Sequence, residues 1–321
     1  AVRIALAGDT MLGRGVAERL QAAPEHQLFS DEVIATAQEA DLTILNLECC
    51  VSTRGSRWPD PAKPFYFRAP PEALAHLRML GVRLVTLANN HALDFGRDAL
   101  LDTFGHLRAA SIAWVGAGPD RARARAPHVL EAGEIRIGVI GLTDHPAEYS
   151  AEDDRAGVAF APLSDDPLPN WVAEAIARAR ADAELVLVTP HWGPNMTERP
   201  EPHVRRAGSA LLAGGASLVA GHSAHVFHGI EGPILWDLGD FVDDYAVDPD
   251  LRNDLGLLWL VDLDRRGPLA AQAVPLRLEY CHTRLARGHE REWVAARLDA
   301  ACAELGTAVE ERSGRLLIPL R

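Results

Sequence analysis

The chain has 321 residues, of which 48% are apolar and 24% charged, so it is long enough to bury a large core and has an ordinary globular composition. Its formal net charge of −13 argues against nucleic acid as its main partner. No apolar run approaches the roughly 18–20 residues of a membrane span, and no signal-like segment precedes the first strand. We therefore expect a cytoplasmic protein, unless a leader or anchor has been removed.

Strands and helices alternate along most of the chain. Apolar runs predict strands over 2–8, 42–48, 83–88, 112–116, 134–142, 185–190 and 216–220. Helical patterns fall between them, near 14–22, 30–40, 70–81, 97–109, 170–182 and 203–214. After residue 242 the pattern changes to antiparallel strands and an amphipathic helix, on which Trp293, Val294, Leu298, Ala301 and Leu305 form one apolar stripe.

This order of elements predicts one α/β domain. We expect its core to occupy residues 1–245, and the strands and helix of residues 246–321 to complete the same domain.

Side chains of ligand type follow the apolar strands at several separate points. They are Asp9, Asn46 and Glu48, Asn90 and His91, His191, and His222 and His225. Because sites in open α/β sheets gather beyond the carboxyl ends of the strands, we expect these side chains to meet. A mixed set of Asp, Glu, Asn and His suits a pair of divalent ions of the Mn, Fe or Zn kind, so the sequence predicts a dinuclear metal site.

Each residue also has an ordinary structural interpretation when it is considered alone. Asp9 has the position of a turn or helix-cap residue, and His191 has that of a hydrogen-bonded core histidine. Glu48 is different, because a glutamate at the end of a buried strand needs a partner or a cation. The combination favours metal binding, because the alternative requires that each of these residues has a separate structural role and that every one of them still lies at the end of a strand.

Five motifs, in this order over roughly residues 2–245, resemble one known family: GDTMLGR, NLE, LANNHALDFG, HWG and GHSAHV. They are similar to the CapA / poly-gamma-glutamate biosynthesis family of the calcineurin-like metallophosphoesterase superfamily. The resemblance implies a four-layer αββα sandwich of mixed sheets with a dinuclear centre at the strand ends. It also implies that Asp9, Glu48 and His225 hold one metal, and that Glu48, as a bridge, holds the other with Asn90, His191 and His222.

The resemblance gives His91, backed by Asp94, the role of general acid or transition-state hydrogen-bond donor. The chain departs from the superfamily pattern at several positions. The usual D-x-H is Asp9-Thr10-Met11, the bridging aspartate is Glu48, the proline before the second histidine is Ala224, and L-G-N-F is Leu238-Gly239-Asp240-Phe241. One metal thereby lacks its usual nitrogen ligand, and four nearby acids offer compensating carboxylates: Asp237, Asp240, Asp243 and Asp244.

The expected activity is hydrolysis of a phosphoester or related bond in a small-molecule or peptide substrate, by a water that two divalent metals activate. Candidates for substrate binding are Arg14, Asn46, Arg57 and Lys63. Two other classes stay open. One is a metal-dependent peptide epimerase, and the other is a non-catalytic partner in capsule or poly-gamma-glutamate assembly.

Overall fold

The computed structural model of the chain describes residues 1–164 and 166–321. Its strands are β1 (Val2–Thr10), β2 (Leu42–Leu47), β3 (Cys50–Val51), β4 (Arg68–Ala69), β5 (Val82–Thr86), β6 (Ala113–Val115), β7 (Ala117–Gly118), β8 (His128–Ala132), β9 (Ile135–Thr143), β10 (Gly157–Val158), β11 (Leu185–His191), β12 (Leu218–Ala220), β13 (Ile230–Glu231), β14 (Ile234–Leu235), β15 (Asp240–Val242), β16 (Leu255–Asp264), β17 (Gly267–Glu279), β18 (His282–Leu285), β19 (Glu310–Arg312) and β20 (Arg315–Pro319).

The helices lie mostly between strands that pair in parallel. They are α1 (Arg14–Ala22), α2 (Asp31–Ala37), α3 (Leu74–Met79), α4 (Gly96–Ala109), α5 (Arg121–Arg125), α6 (Asn170–Asp182), α7 (Pro202–Ala213) and α8 (His289–Ala303). Local signals account for some of these starts: Ser30 caps α2 by accepting a hydrogen bond from the Val33 amide at 3.3 Å, and Pro202 opens α7. In the described part of the chain, none of the helices has the length and apolar character that a bilayer crossing requires.

Two mixed sheets carry the fold. The first has the strand order β19-β20-β17-β16-β1-β2-β5-β6, with β15 also paired to β1 and β18 to β17. The second has the order β13-β14-β12-β11-β9-β8. The central pairs β1–β2, β2–β5, β9–β11 and β11–β12 are parallel, whereas β1–β16 and β8–β9 are antiparallel. The carboxyl ends of the parallel strands therefore lie together at one rim of each sheet.

Three apolar cores lie between the four layers of helices and sheets. Because side chains alternate across a strand, β1 directs Ile4 and Leu6 into the core between the two sheets, where Ile137 of β9 and Leu187 of β11 also lie. A second core lies between the outer face of the first sheet and helices α1 to α4, and a third lies between the second sheet and helices α6 and α7. The predicted four-layer αββα sandwich with mixed sheets is confirmed.

The C-terminal segment extends the first sheet. β16 pairs with β1 from Val2↔Leu263 to Leu6↔Trp259, and β17 pairs with β16 along most of its length. The boundary at residue 245 stays a prediction.

Two details differ from the sequence patterns. The strands β8, β18, β19 and β20 had not been predicted; β20 lies between β19 and β17. In α8 the predicted Val294 and Leu298 are buried together with Cys302, whereas Trp293 and Ala301 are only partly buried and Leu305 lies beyond the end of the helix.

Candidate metal centre

Asp9 reaches the centre at the end of β1, where two strands of the same sheet meet it. β15 lies alongside in parallel with Asp9 opposite Asp240, and β2 lies on the other edge with Asp9 opposite Asn46. Gly8 permits this arrangement, since a Cβ atom there would lie 1.8 Å from the carbonyl oxygen of Gly239. Asp9, Asn46 and Asp240 are each only 1% exposed.

Asn46 orients two of the acids. Its Nδ2 donates to Asp9 Oδ1 at 2.7 Å and to Glu48 Oε2 at 3.3 Å. Its Oδ1 accepts a hydrogen bond from Asn89 Nδ2 at 2.9 Å. Because the nitrogen and the oxygen of this buried amide both form hydrogen bonds, Asn46 orients the carboxylates of Asp9 and Glu48. The substrate contact expected of it stays a prediction.

The second sheet contributes His191 and His222. His191 is the last residue of β11, and a backbone bridge links it to His222, which follows β12 after Gly221. The two Nδ1 atoms lie 2.7 Å apart, and His222 Nδ1 lies 3.8 Å from Asp9 Oδ1. Thr189 Oγ1 lies 3.1 Å from His222 Nε2. The predicted pair of strand-end histidines therefore lies directly across from Asp9.

His225 lies on the other side of Asp9. It adopts a left-handed backbone conformation (φ 62°), which an amino acid with a side chain rarely takes outside tight turns. Its Nδ1 lies 2.8 Å from Asp240 Oδ1 and 3.1 Å from Asp9 Oδ2, and its Nε2 lies 4.0 Å from Glu48 Oε1. The turn thus places one imidazole among three carboxylates.

These side chains form two groups whose ligand atoms lie within 4.8 Å of one another: Asp9 with His191 and His222, and Asp9 with His225 and Asp240. Asp9 belongs to both groups. The resemblance implies that Glu48 is the ligand shared by both metals. Glu48 Oε1 lies 4.0 Å from His225 Nε2, next to the second group.

Atoms of ligand type are left without hydrogen bonds at this point of the fold. Among the residues described, Asp9 Oδ2, Glu48 Oε1, Asn90 Oδ1, His191 Nε2 and Asp240 Oδ2 are buried and have no hydrogen-bond partner. A buried polar atom without a partner costs roughly 1–3 kcal/mol, and more when it is charged, so the atoms of Asp9, His191 and Asp240, which belong to the two ligand groups, call for a partner. Divalent cations bind this mixture of carboxylate, amide and imidazole donors. The residues fit metal binding.

The electrostatics of the centre agree with that fit. Burial, and then the charge of Asp9, raise the pKa of Glu48 well above its usual value, and burial likewise raises the pKa of Asp240. Burial lowers the pKa of His222 to about 4 and that of His191 well below its ordinary value. These imidazoles are therefore neutral near pH 7, which is the form that binds a metal. Burial alone would lower the pKa of His225, but the charges of Asp240 and Glu48 raise it well above its ordinary value, so this imidazole has to lose a proton before it can bind a metal.

His91 and Asp94 form a separate, fully bonded pair. His91 Nδ1 lies 2.6 Å from Asp94 Oδ2, which also accepts the Phe67 amide at 2.7 Å. Asp94 Oδ1 lies 3.0 Å from Lys63 Nζ and accepts the hydroxyl of Tyr149 at 3.1 Å. Phe67 also stacks on the imidazole, with ring centroids 4.0 Å apart. The ring is therefore held in one orientation, with its Nε2 3.9 Å from Glu48 Oε1.

The three basic residues predicted to bind substrate have different positions. Lys63 lies at the centre, where its Nζ donates to the backbone oxygen of Asn90 at 2.8 Å. Arg14 forms an ion pair with Asp244 and lies over the ring of Phe67, 4.7 Å from its centroid. Arg57 is exposed and stacks over Tyr66. The structure brings only Lys63 next to the predicted catalytic pair.

Two cavities open beside Asn90. One, of about 440 Å³, is lined by Trp58, Lys63, Asn90, His145 and Tyr149 among others. The other, of about 600 Å³, is also lined by Asn90 and His145 and extends to Asp144, Gly193 and His203. Asn90, whose Oδ1 is one of the atoms without a partner, lines both cavities.

Sequence reasoning missed several residues of this region as site residues. Tyr149 and His145 belong to no recognisable motif, and Asn89 lies within LANNHALDFG, where only its neighbours had been singled out. The roles of all three depend on contacts across the fold. Asp240 had been noted as a departure from the L-G-N-F pattern and as an added carboxylate, but not among the expected metal ligands.

The four-layer αββα sandwich, with Asp, Glu, Asn and His side chains gathered at its strand ends, is the architecture that the resemblance implied. The family described as "Bacterial capsule synthesis protein PGA_cap" matches residues 3–245, and the chain belongs to this family.

Similar proteins agree with that membership. The "Probable polyglutamine synthesis accessory protein" of Mycobacterium tuberculosis is 30% identical, with 98% of this chain and 95% of that protein covered. The "Capsule biosynthesis protein CapA" of Bacillus anthracis is 26% identical, with 85% of this chain and 67% of that protein covered. A hypothetical protein of Thermus thermophilus, known from its crystal structure, has a similar fold, with a TM-score of 0.51 and 17% identity over 86% of this chain and 99% of that one.

Proposed function

We propose that the protein is a metal-dependent hydrolase that acts on a phosphoester or related bond at a centre of two divalent ions. The observation that carries the proposal is the convergence, from two sheets, of buried ligand atoms without hydrogen-bond partners among the residues described. A purely structural cluster would leave these atoms at a high energetic cost.

Each ion would have its own set of residues. One would be held by His191 and His222 with Asn90, and the other by His225 and Glu48, with Asp9 shared between them. When bound, Mn, Fe or Zn ions polarise substrate oxygens and make water nucleophilic near neutral pH. The chain's other residues bind and orient the substrate.

His91 is the proposed proton-transfer residue. Asp94 holds its Nδ1, so the Nε2 atom that faces the centre is free to exchange a proton with the substrate's leaving group. Lys63 holds Asp94 from the other side and supplies positive charge to the wall of the 440 Å³ cavity. A phosphoryl group that enters there would meet Lys63 and His145 before it reached Asn90.

The test uses p-nitrophenyl phosphate and bis-p-nitrophenyl phosphate, followed by a wider phosphoester panel. The wild-type protein is stripped with a chelator and reloaded with Mn²⁺ or Zn²⁺. We expect metal-dependent hydrolysis that is lost in His91→Ala and retained in His289→Ala, which removes a fully exposed imidazole and so serves as the matched control. Full metal loading without hydrolysis of any phosphoester would refute the proposal.

A second candidate is a non-catalytic role in polymer assembly. It is favoured by the name of the M. tuberculosis relative, which describes an accessory protein of polyglutamine synthesis, and by the capsule family. Metal binding without turnover on any panel would support this role. The epimerase alternative stays a prediction, and proton exchange into peptides in deuterated water would detect it.

A further inference from the structure

The two halves of the centre differ in their donor atoms. The half around His191 and His222 is rich in imidazole, and the ring of His145 lies nearby, with its centroid 5.1 Å from that of His191. The half around His225 contains one imidazole among the carboxylates of Asp9, Glu48 and Asp240. Nitrogen and oxygen donors are thus sorted to opposite sides of Asp9.

Asp240 is responsible for much of this difference. β15 pairs in parallel with β1 so that Asp240 lies opposite Asp9, and both carboxylates are buried beside His225. Asp240 Oδ1 takes the contact with His225 Nδ1 at 2.8 Å. Its Oδ2 has no hydrogen-bond partner within residues 1–164 and 166–321.

A carboxylate that only oriented His225 would not need to leave its second oxygen without a hydrogen-bond partner; we call such a buried atom bare. Asp237, three residues earlier, shows the structural arrangement in the same loop. One of its oxygens accepts the Ala224 amide and the other accepts the Gly239 amide, both at 2.9 Å. The bare oxygen of Asp240, against the two bonded oxygens of Asp237, indicates a ligand.

We propose that Asp240 is a metal ligand and that it makes the His225 half selective for an oxygen-preferring cation such as Mn²⁺, while the His191–His222 half takes a nitrogen-preferring cation such as Zn²⁺. This inference rests on the proposed metal centre and adds that the two positions are unlike. Carboxylate donors suit Mn²⁺ and imidazole suits Zn²⁺. The charges of the two halves agree with this assignment. In the His225 half, Asp9, Glu48 and Asp240 surround one imidazole, whereas Asp9 is the acid that the described residues place in the His191–His222 group.

The experiment measures metal content rather than activity. Chelator-stripped wild-type protein, checked by circular dichroism, is equilibrated with two equivalents of Zn²⁺ and an increasing excess of Mn²⁺, since Zn²⁺ binds a given site of nitrogen and oxygen ligands more tightly than Mn²⁺, and is then freed of excess ions. Metals are counted by mass spectrometry, and Mn²⁺ is observed by electron paramagnetic resonance. We expect about one of each ion per chain, with the spectrum of an isolated Mn²⁺ rather than of a Mn²⁺ pair.

Three variants identify the role of Asp240. Asp240→Asn should weaken Mn²⁺ binding more than the roughly 10- to 100-fold that loss of a ligand's hydrogen-bond partner costs, and should leave Zn²⁺ bound. Asp240→His should replace Mn²⁺ by a second Zn²⁺. Asp237→Asn is the matched control, because Asp237 is also a buried acid three residues away, has both oxygens bonded to backbone amides and belongs to neither ligand group. It should change Mn²⁺ affinity only a few-fold.

The outcomes separate the two proposals. Equal preference of both positions for Zn²⁺, or an Asp240→Asn variant that keeps its Mn²⁺, would overturn the inference and leave the hydrolase proposal intact. An Asp240→His variant with unchanged selectivity would reduce Asp240 to a residue that orients His225. Absence of both metals from the wild-type protein would overturn the metal centre itself.

Discussion

In both the His91–Asp94 pair and the His225–Asp240 pair an imidazole Nδ1 contacts a carboxylate oxygen, yet the two acids have opposite surroundings. Both oxygens of Asp94 are saturated by an imidazole, a backbone amide, a tyrosine hydroxyl and Lys63. Asp240 keeps one oxygen bare among the residues described. A saturated acid fixes its neighbour, whereas Asp240, with a bare oxygen and a place in one ligand group with Asp9 and His225, is suited to bind a cation. The contrast separates residues that position the catalytic ring from residues that bind metal.

The largest loss of metal binding is expected from replacing Asp9, which has a bare Oδ2 and belongs to both ligand groups. Asp9→Asn should weaken both metal positions, each by more than about 100-fold, because each loses an anionic ligand. Glu48→Gln should mainly weaken the position at His225. Metal content by mass spectrometry compares the two variants. If Glu48→Gln loses both metals and Asp9→Asn loses one, the shared ligand is Glu48, as the resemblance implied.

The neighbours Asn90 and His91 test the same contrast within one turn. Asn90 Oδ1 is bare and His91 is held by Asp94, so Asn90→Ala should lose metal, whereas His91→Ala should keep it. His91→Ala should still lose roughly 100- to 10,000-fold in kcat, the usual worth of a positioned acid or base. Metal content and turnover are measured on each variant. Equal loss of metal in both would make His91 a ligand.

Metal binding should also stabilise the fold, because the bare atoms belong to both sheets. At 100-fold excess over its Kd, one ion should raise the free energy of unfolding by about 2.7 kcal/mol. Urea unfolding with and without Mn²⁺ or Zn²⁺ measures this difference. His191→Ala should lose part of it and His289→Ala none. An identical unfolding midpoint with and without metal in the wild-type protein would contradict the metal centre.

The sequence predicted an α/β domain and the strand-end cluster because both follow from local patterns, whereas the four-layer sandwich was implied by the resemblance to a family. Buried parallel strands are continuous apolar runs, and ligand types directly after them are visible without a structure. What it could not predict depends on contacts between distant segments. The register of β15 against β1, which brings Asp240 to Asp9, and the hydrogen bond from Asn89 to Asn46 leave no trace in spacing.

The sequence could not decide which acid would be shared between the two proposed metals for a similar reason. Asp9 and Glu48 are both acids at strand ends, and only the turn that gives His225 its φ of 62° decides which acid lies between the histidines. A left-handed residue that is neither glycine nor asparagine is not a feature that a propensity argument selects.

The smallest effects on activity should come from replacing Asp94, whose oxygens are both hydrogen-bonded, and its neighbour Lys63. Asp94→Asn removes the charge that holds His91 but can still accept a hydrogen bond, so it should keep both metals and lower kcat by about 10- to 100-fold, less than His91→Ala. Lys63→Met should be milder still, because Asp94 retains the Phe67 amide and the Tyr149 hydroxyl. Its effect should fall more on KM than on kcat if Lys63 also meets the anionic substrate. Steady-state kinetics on the best phosphoester of the panel, with metal content as the control, separate these effects. If Asp94→Asn lost metal as Asp9→Asn is expected to, Asp94 would belong with the bare acids, and the distinction between positioning and ligand residues would fail.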